Sequence, residues 1–288
     1  MDKFNKRWAF GFVVFLFFAN FLAWAAVYDL SQPQFLEVSF FDVGQGDAAF
    51  IETPSGHQII IDGGPGAAVL EKLDKKMPFW DRTIDLIILS HPEKDHLAGL
   101  IEVLKRYQVE NILWSGVIRE TAEYEEWLEL IEEEGAEIKI ARAGGKILSG
   151  SVEIQILYPF ESMEGKELKD SNDSSVVAKL VFGEKSFLFT GDISGKIEVS
   201  LAENFPEIDS DVLKVSHHGS KYSSFDEFIS KVSPQVAVIQ VGKDNSYGHP
   251  MQEVLDRLLK YGIDILRTDR NGDIKIFSDG EKVRISNY

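Results

Sequence analysis

Cysteine is absent from all 288 residues. That excludes disulfide partners, thiolate nucleophiles and cysteine-ligated zinc, so any metal must sit on imidazole, carboxylate or amide oxygen. It also suits an oxidising compartment. Positive charge is scarce: 30 Lys+Arg stand against 47 Asp+Glu, a formal charge of -17, which opposes spontaneous adsorption to nucleic acid or anionic lipid. There is no basic helix or arginine-rich stripe to offset it, so a polyanionic substrate would need metal ions or a local basic patch. Nor is there a low-complexity linker to split the chain. What is present is a 44% hydrophobic composition, enough at this length to bury a substantial core as one large domain or two small ones.

Lys3, Lys6 and Arg7 precede a run over residues 8–27 that carries no charge and one strongly polar residue, Asn20. Such a run has roughly the ~20 residues a bilayer-spanning helix needs, with the cations kept inside. Ala23-Trp24-Ala25 resembles a small-x-small cleavage site, the competing reading as a signal peptide. The run exceeds a typical ~7–15-residue signal core, so residues 1–30 are expected to be a cytoplasmic stub with a transmembrane anchor. Residues 31–288 are then the exported body, secreted if the segment is cleaved.

After a polar linker at 31–34, residues 35–41, 48–52 and 58–61 read as neighbouring strands, with Pro54-Ser55-Gly56 as a turn. Strands at 84–89 and 111–114 then alternate with helices at 97–106 and 122–133. The second half repeats the theme, with strands at 152–157, 175–181, 186–189, 212–215 and 236–239. Its helices fall at 195–202, 225–230 and 252–260, before terminal strands. His91, Asp192 and His217 each lie just past the end of an apolar strand, where rigid scaffolds place functional loops.

Ser90-His91-Pro92-Glu93-Lys94-Asp95-His96 offers two imidazoles and two carboxylates within six residues, opening a helix. Mixed nitrogen and oxygen ligation of this kind suits Zn²⁺, Mn²⁺ or Fe²⁺; the alternative is a polar helix cap with two solvated histidines. Ile61-Asp62-Gly63-Gly64 places a carboxylate at a strand end, equally an Asx-type turn. Thr190-Gly191-Asp192 repeats the arrangement, and Ser216-His217-His218-Gly219-Ser220 adds an imidazole pair. Gly248-His249-Pro250 is a weaker signal, a histidine in a turn.

The ordered set IDGG, SHPEKDH, FTGD and VSHHGS resembles the metallo-β-lactamase superfamily. Phe41-Asp42-Val43-Gly44-Gln45-Gly46-Asp47, Asn172-Asp173-Ser174-Ser175 and the final YGHP are similar to the extracytoplasmic ComEC-type domain of competence DNA-uptake channels and its free-standing relatives. The resemblance runs from about residue 35 to the C-terminus. It implies an α/β (α+β) four-layer αβ/βα sandwich, here preceded by one N-terminal transmembrane helix. It further implies two divalent metal ions, Zn or Mn with Mg as a third candidate. His91 and Glu93 would hold one, Asp95, His96 and His217 the other, with His217 preferred over His218 by analogy. Asp192 would bridge them, and Asp62 would orient a ligand from outside, with Asp47, Asn172 and Ser174 in the same supporting group. His218 and His249 would contact substrate or protonate a leaving group.

Glu93 stands where the superfamily commonly has histidine, and Asn172 or Asp173 replaces another imidazole, leaving Asp173 as a harder oxygen ligand. These exchanges shift preference from zinc toward manganese or magnesium. The expected activity is metal-dependent phosphodiester hydrolysis through water activated between two metals, with Asp95 and Asp192 at the reacting centre. The expected substrate is a phosphodiester, single-stranded DNA among the candidates, met outside the cytoplasm. Only one apolar segment precedes the domain, so any DNA-uptake channel would be a separate partner. The rival readings are a phosphoesterase or lactonase-like hydrolase acting on wall polymers or small molecules, and a non-catalytic metal-binding accessory of DNA uptake.

Overall fold

The computed structural model describes residues 2–31 and 35–286; positions 32–34 of the expected linker, and the side chains of Lys3, Lys6 and Arg7, lie outside the described residues. The chain divides into two units, Met1–Gln34 and Phe35–Tyr288. The first holds α1 (Asp2–Ser31). Within it the 18 residues Trp8–Ala25 are apolar enough to cross a membrane, and at ~1.5 Å rise each they reach ~27 Å, close to the ~30 Å of a hydrocarbon core. Trp8 and Trp24 fall near the two ends of this stretch, where indole side chains favour a membrane–water interface. Length and composition fit a membrane anchor or a signal sequence equally.

The second unit opens with an antiparallel meander, β1 (Leu36–Phe40), β2 (Ala49–Glu52) and β3 (Gln58–Ile61). Three crossovers follow: α2 (Ala68–Lys76) to β4 (Thr83–Ile88), α3 (Lys94–Leu104) to β5 (Gln108–Trp114), and α4 (Ala122–Glu134) to β6 (Glu137–Ile140). Each strand from β4 to β6 is parallel to the one before. A second sheet begins with the antiparallel strands β7 (Lys146–Ser149), β8 (Val152–Tyr158), β9 (Val177–Phe182) and β10 (Lys185–Phe189). It continues in parallel through α5 (Gly195–Asn204), β11 (Val212–Lys214), α6 (Asp226–Val232), β12 (Val236–Ile239), α7 (Gln252–Lys260) and β13 (Asp264–Arg267). After α8 (Thr268–Asn271), β14 (Ile274–Ser278) and β15 (Val283–Ile285) return beside β1. The orders are β15-β14-β1-β2-β3-β4-β5-β6 and β13-β12-β11-β10-β9-β8-β7.

The alternation of side chains explains why nearly every strand residue is apolar. On β3, Ile59 and Ile61 face the second sheet while Ile60 packs under the helices; on β10, Phe187 and Phe189 face inward and Leu188 packs toward α5. A strand covered on both faces needs hydrophobic residues at both parities. One core lies between the sheets. A second lies beneath α2, α3 and α4, and two more lie beneath α5, α6 and α7. This is the four-layer sandwich that the motifs imply. The strands β6 and β7 and the helix α2 go beyond the sequence reading: β6 and β7 are exposed edge strands interrupted by Glu137, Lys139 and Lys146, so their apolar signal is diluted.

The strands β3, β4, β10 and β11 end at one edge of the sandwich, and the loops that follow carry the site. Glycine decides how tightly α3 approaches. A Cβ on Gly63 or Gly99 would overlap the backbone of the other segment, and that closeness lets Gly63 N–H donate to His96 O (2.7 Å) and Gly99 N–H to Gly64 O (2.9 Å). The loop after β3 is thereby fastened to the first turn of the helix bearing Asp95 and His96.

Candidate metal centre

Asp62 follows β3 in a left-handed conformation, φ 58°. Its Oδ1 accepts Ser90 N–H at 2.7 Å, and its Oδ2 accepts Ser90 Oγ–H at 2.6 Å and His96 Nδ1–H at 2.8 Å. Burial raises the pKa of Asp62, with His96 and the Ser90 hydrogen bond pulling the other way. The bond to Nδ1 fixes the imidazole so that His96 Nε2 points at Asp192 Oδ2, 3.4 Å away. His218 is set the same way from the second sheet: Nδ1–H donates to Gln240 O at 2.9 Å, and Nε2 lies 3.3 Å from both Asp95 Oδ2 and Asp192 Oδ2. A ring held at one nitrogen by an oxygen acceptor, with the other nitrogen aimed at carboxylates, is the usual arrangement of a metal-ligating histidine.

His91 Nδ1 lies 3.0 Å from Ser90 Oγ, and its ring is 4.2 Å from that of His96. The Nε2 atoms of His91 and His96 are buried without a hydrogen-bond partner. Such orphaned atoms are uncommon in a native interior unless a ligand satisfies them. Ligand atoms of His91, His96 and Asp192 lie within 4.8 Å of one another, as do those of Asp95, His96 and His218. Burial and the neighbouring His96 push the His91 pKa down to about 3, leaving a neutral imidazole with a free lone pair. Burial also opposes charge on His96 and His218, but the surrounding carboxylates prevail, raising His96 well above its ordinary value and His218 to about 10. For Asp95 and Asp192, burial opposes ionisation, and the histidines outweigh it and hold both carboxylates below their ordinary range. Carboxylates that hold protons on two imidazoles would hold a divalent cation in their place. The donor set of imidazole nitrogen and carboxylate oxygen therefore fits a hard or borderline divalent metal.

Sequence reasoning passed over Lys214. It ends β11 with its side chain 3% exposed, pairs with Asp47, and lies 3.3 Å from Asp192 Oδ1 while donating to Gly191 O at 2.9 Å. Burial disfavours its charge, yet Asp47 and Asp192 raise its pKa, so it brings a fixed positive charge to the edge of the site. Asp47, also 3.2 Å from His218 Nδ1, sits nearer the centre than a remote support would. Neither of its oxygens has hydrogen-bond geometry with these neighbours; the contact is one of charge. Gln240, also passed over, ties His218 to the first sheet by donating to Ala48 O at 2.8 Å. The one sequence signal for Lys214 is a lysine inside an otherwise apolar strand.

Four expectations take a different form. His218, not His217, joins the ligand cluster: both residues adopt left-handed backbone, φ 53° and 51°, and the bond to Gln240 carries the His218 ring inward while His217 lines the outer cleft. Glu93 also lines that cleft, but its carboxylate is held by Arg119 (2.5 Å) and Ser171 and belongs to none of the candidate ligand groups. Asp173 accepts Tyr158 O–H through its backbone carbonyl and takes no place in the cluster, and Ser174 donates to Ser171 O. His249, pushed down to about 4 by burial and then by His218 and His217, is neutral at pH 7, so it is not an imidazolium acid for a leaving group; a neutral ring can accept a hydrogen bond at one nitrogen. Asn172 does line the cleft, a hollow of about 280 Å³ above Asp95 and Asp192, with Arg119 and Lys169 on its wall.

Residues 41–243 match the family model described as Metallo-beta-lactamase superfamily. ComE operon protein 3 of Bacillus subtilis is 34% identical over 257 residues, covering 83% of this chain and 32% of that protein. Competence protein ComA of Neisseria gonorrhoeae is 30% identical over 239 residues, again 83% of this chain and 32% of the relative. The chain thus spans about a third of the length of these relatives. Among solved structures, the metallo-beta-lactamase fold protein YhfI from Bacillus subtilis superposes with a TM-score of 0.55 at 12% identity, covering 83% of this chain and 99% of that one; at that identity the likeness concerns the fold alone.

Proposed function

The chain belongs to the metallo-beta-lactamase superfamily, the fold of metal-dependent hydrolases, and from that premise we propose that it is a metal-dependent phosphodiesterase acting on nucleic acid outside the cytoplasm. The observation that carries the reading is the convergence of His91, His96, Asp95, Asp192 and His218 beneath a cleft walled by Arg119 and Lys169. Arg119 on that wall is paired with Glu93, and Asp170 lines it as well, so in a protein of charge -17 Lys169 and the metal itself would supply the attraction for an anionic group. Relatives named for competence favour nucleic acid among phosphodiesters. The apolar helix over Trp8–Ala25 suits either a membrane anchor or a signal sequence, and in both cases the body would be exported.

His91, His96 and His218 would contribute nitrogen, and Asp95 and Asp192 oxygen, to Zn²⁺ or Mn²⁺. When bound, such an ion supplies Lewis acidity toward a phosphoryl oxygen and lowers the pKa of water. Asp62 and the Gln240 carbonyl keep the Nε2 atoms of His96 and His218 directed inward, where a metal would displace their protons. Lys214 balances Asp47 and Asp192, so the cluster does not rest on the metal for all its positive charge. Asp95, 34% exposed on its side chain, is the more open of the two cluster carboxylates toward the cleft. His249, neutral and half-buried, is placed to accept a hydrogen bond from substrate or water.

The test is hydrolysis of bis-p-nitrophenyl phosphate and of a labelled DNA strand by the full chain with Mn²⁺ or Zn²⁺, beside Asp95→Ala and Asp192→Ala. Turnover of both substrates that needs metal and is lost in both variants supports the proposal. Turnover of the small ester alone moves the substrate to wall polymers or small molecules. Metal binding without any turnover leaves a non-catalytic accessory.

A further inference from the structure

Tyr247 stands at the mouth of the cleft with 64% of its surface exposed, an unusual place to leave a large aromatic ring. Its inner face stacks on His249, with ring centroids 5.8 Å apart and planes 23° from parallel. His249 in turn lies 5.7 Å from His217 and 6.5 Å from His218. A series of flat rings therefore leads from a proposed metal ligand to solvent. The outer face of Tyr247 meets no other ring among the described residues.

The loop carrying it is fastened. Asn245 Nδ2 donates to Gly242 O (3.0 Å) and His249 O (2.7 Å), and Asn245 Oδ1 accepts His249 N–H (3.0 Å). Gly242 N–H donates to Gln45 Oε1 at 3.1 Å, where a Cβ would meet the Gln45 backbone. Ordering cost is thereby met before any ligand arrives. Lys169, which lines the same cleft together with Asp170, has no ion-pair partner among the described residues and is the cation an anionic backbone in the cleft would meet.

We infer that Tyr247 is a stacking platform for an unpaired nucleobase next to the phosphodiester being cleaved, giving the site its preference for single-stranded nucleic acid over phosphodiesters without bases. This rests on the phosphodiesterase reading above. Every base offers a π-face, so a single exposed ring recognises bases without reading sequence, and a base paired in a duplex cannot reach it. The acidic surface fits this economy: one ring and few cations replace an extended basic groove.

The test compares the metal-loaded full chain on a labelled single-stranded oligodeoxynucleotide and on an abasic strand of the same length, which keeps the phosphates and lacks the bases. For Tyr247→Ala the ratio of kcat/KM for the first substrate over the second is expected to fall about 10-fold, chiefly through KM, and Tyr247→Phe is expected to restore it. An unchanged ratio, or a loss shared equally by both strands, overturns the platform while leaving phosphodiester hydrolysis standing. If the wild-type chain cleaves neither strand, the nucleic-acid reading fails and the platform with it.

Discussion

Replacing Asp62 with asparagine isolates what holds His96 in place. The substitution keeps size and shape, and asparagine tolerates the left-handed backbone found at φ 58° as readily as aspartate does. The amide side chain could still accept Ser90 N–H through its oxygen. The atom facing Ser90 Oγ and His96 Nδ1, now 2.6 and 2.8 Å from Asp62 Oδ2, would become an NH₂ donor. His96 would then do best with its proton on Nε2, the nitrogen that faces Asp192 across 3.4 Å. In the wild type a metal displaces the Nε2 proton while Asp62 accepts the one left on Nδ1; in the variant that remaining proton would face an NH₂ donor, so ligation through Nε2 is opposed. Loss of such a supporting carboxylate typically costs 10–100-fold in metal affinity, equivalent to ~1.4–2.7 kcal/mol. Isothermal titration of the chelator-stripped full chain with Zn²⁺ should therefore give a Kd at least 10-fold weaker for Asp62→Asn, with little change in unfolding temperature without metal. A variant Kd within twofold of wild type would refute both the tautomer argument and the assignment of His96 as a ligand.

Three further outcomes follow from the same geometry. His218→Ala should abolish tight metal binding and His217→Ala should leave it within a few-fold, read by metal content after desalting; the reverse pattern would return His217 to the centre. Gly99→Ala should destabilise the fold by about 1–3 kcal/mol in denaturant titration and weaken metal binding, because the new Cβ would push α3 off the Gly63 segment. Glu198, buried and accepting Ser224 N–H and Phe225 N–H, has its pKa raised by burial from 4.5 to about 7. A raised folded pKa gives stability that is full below pH 4.5 and lost as pH rises to about 7, a fall of about 3 kcal/mol at ~1.4 kcal/mol per pH unit. Denaturant titrations at several pH values should show that fall in the wild type and its absence in Glu198→Gln; parallel curves would contradict it.

The layered fold was legible because its strands are short apolar runs alternating with helices, and the loops at their ends announced His91, Asp95, His96 and Asp192. What stayed hidden depends on partners distant in sequence. The choice between His217 and His218 turns on two consecutive left-handed residues and on Gln240, 22 residues away, none of which a motif encodes. Glu93 reads as a ligand until Arg119, 26 residues on, claims its carboxylate. Lys214 shows in the sequence only as a lysine in an otherwise apolar strand; only the presence of Asp47 and Asp192 explains how an ammonium can be buried there. The place of Asp62 after an apolar strand beside two glycines fits an Asx-type turn equally, and its supporting role came from the resemblance alone; its bonds to Ser90 and His96 appear only in the fold.

The most direct test of the account is to strip the full chain with a chelator, restore Mn²⁺, and measure bound metal and cleavage of a single-stranded oligonucleotide in the same preparation of wild type and Asp192→Asn. The account predicts that metal and cleavage return together in the wild type and that cleavage is lost in the variant. Cleavage that survives the chelator, or stoichiometric metal with no cleavage of any phosphodiester, would contradict it.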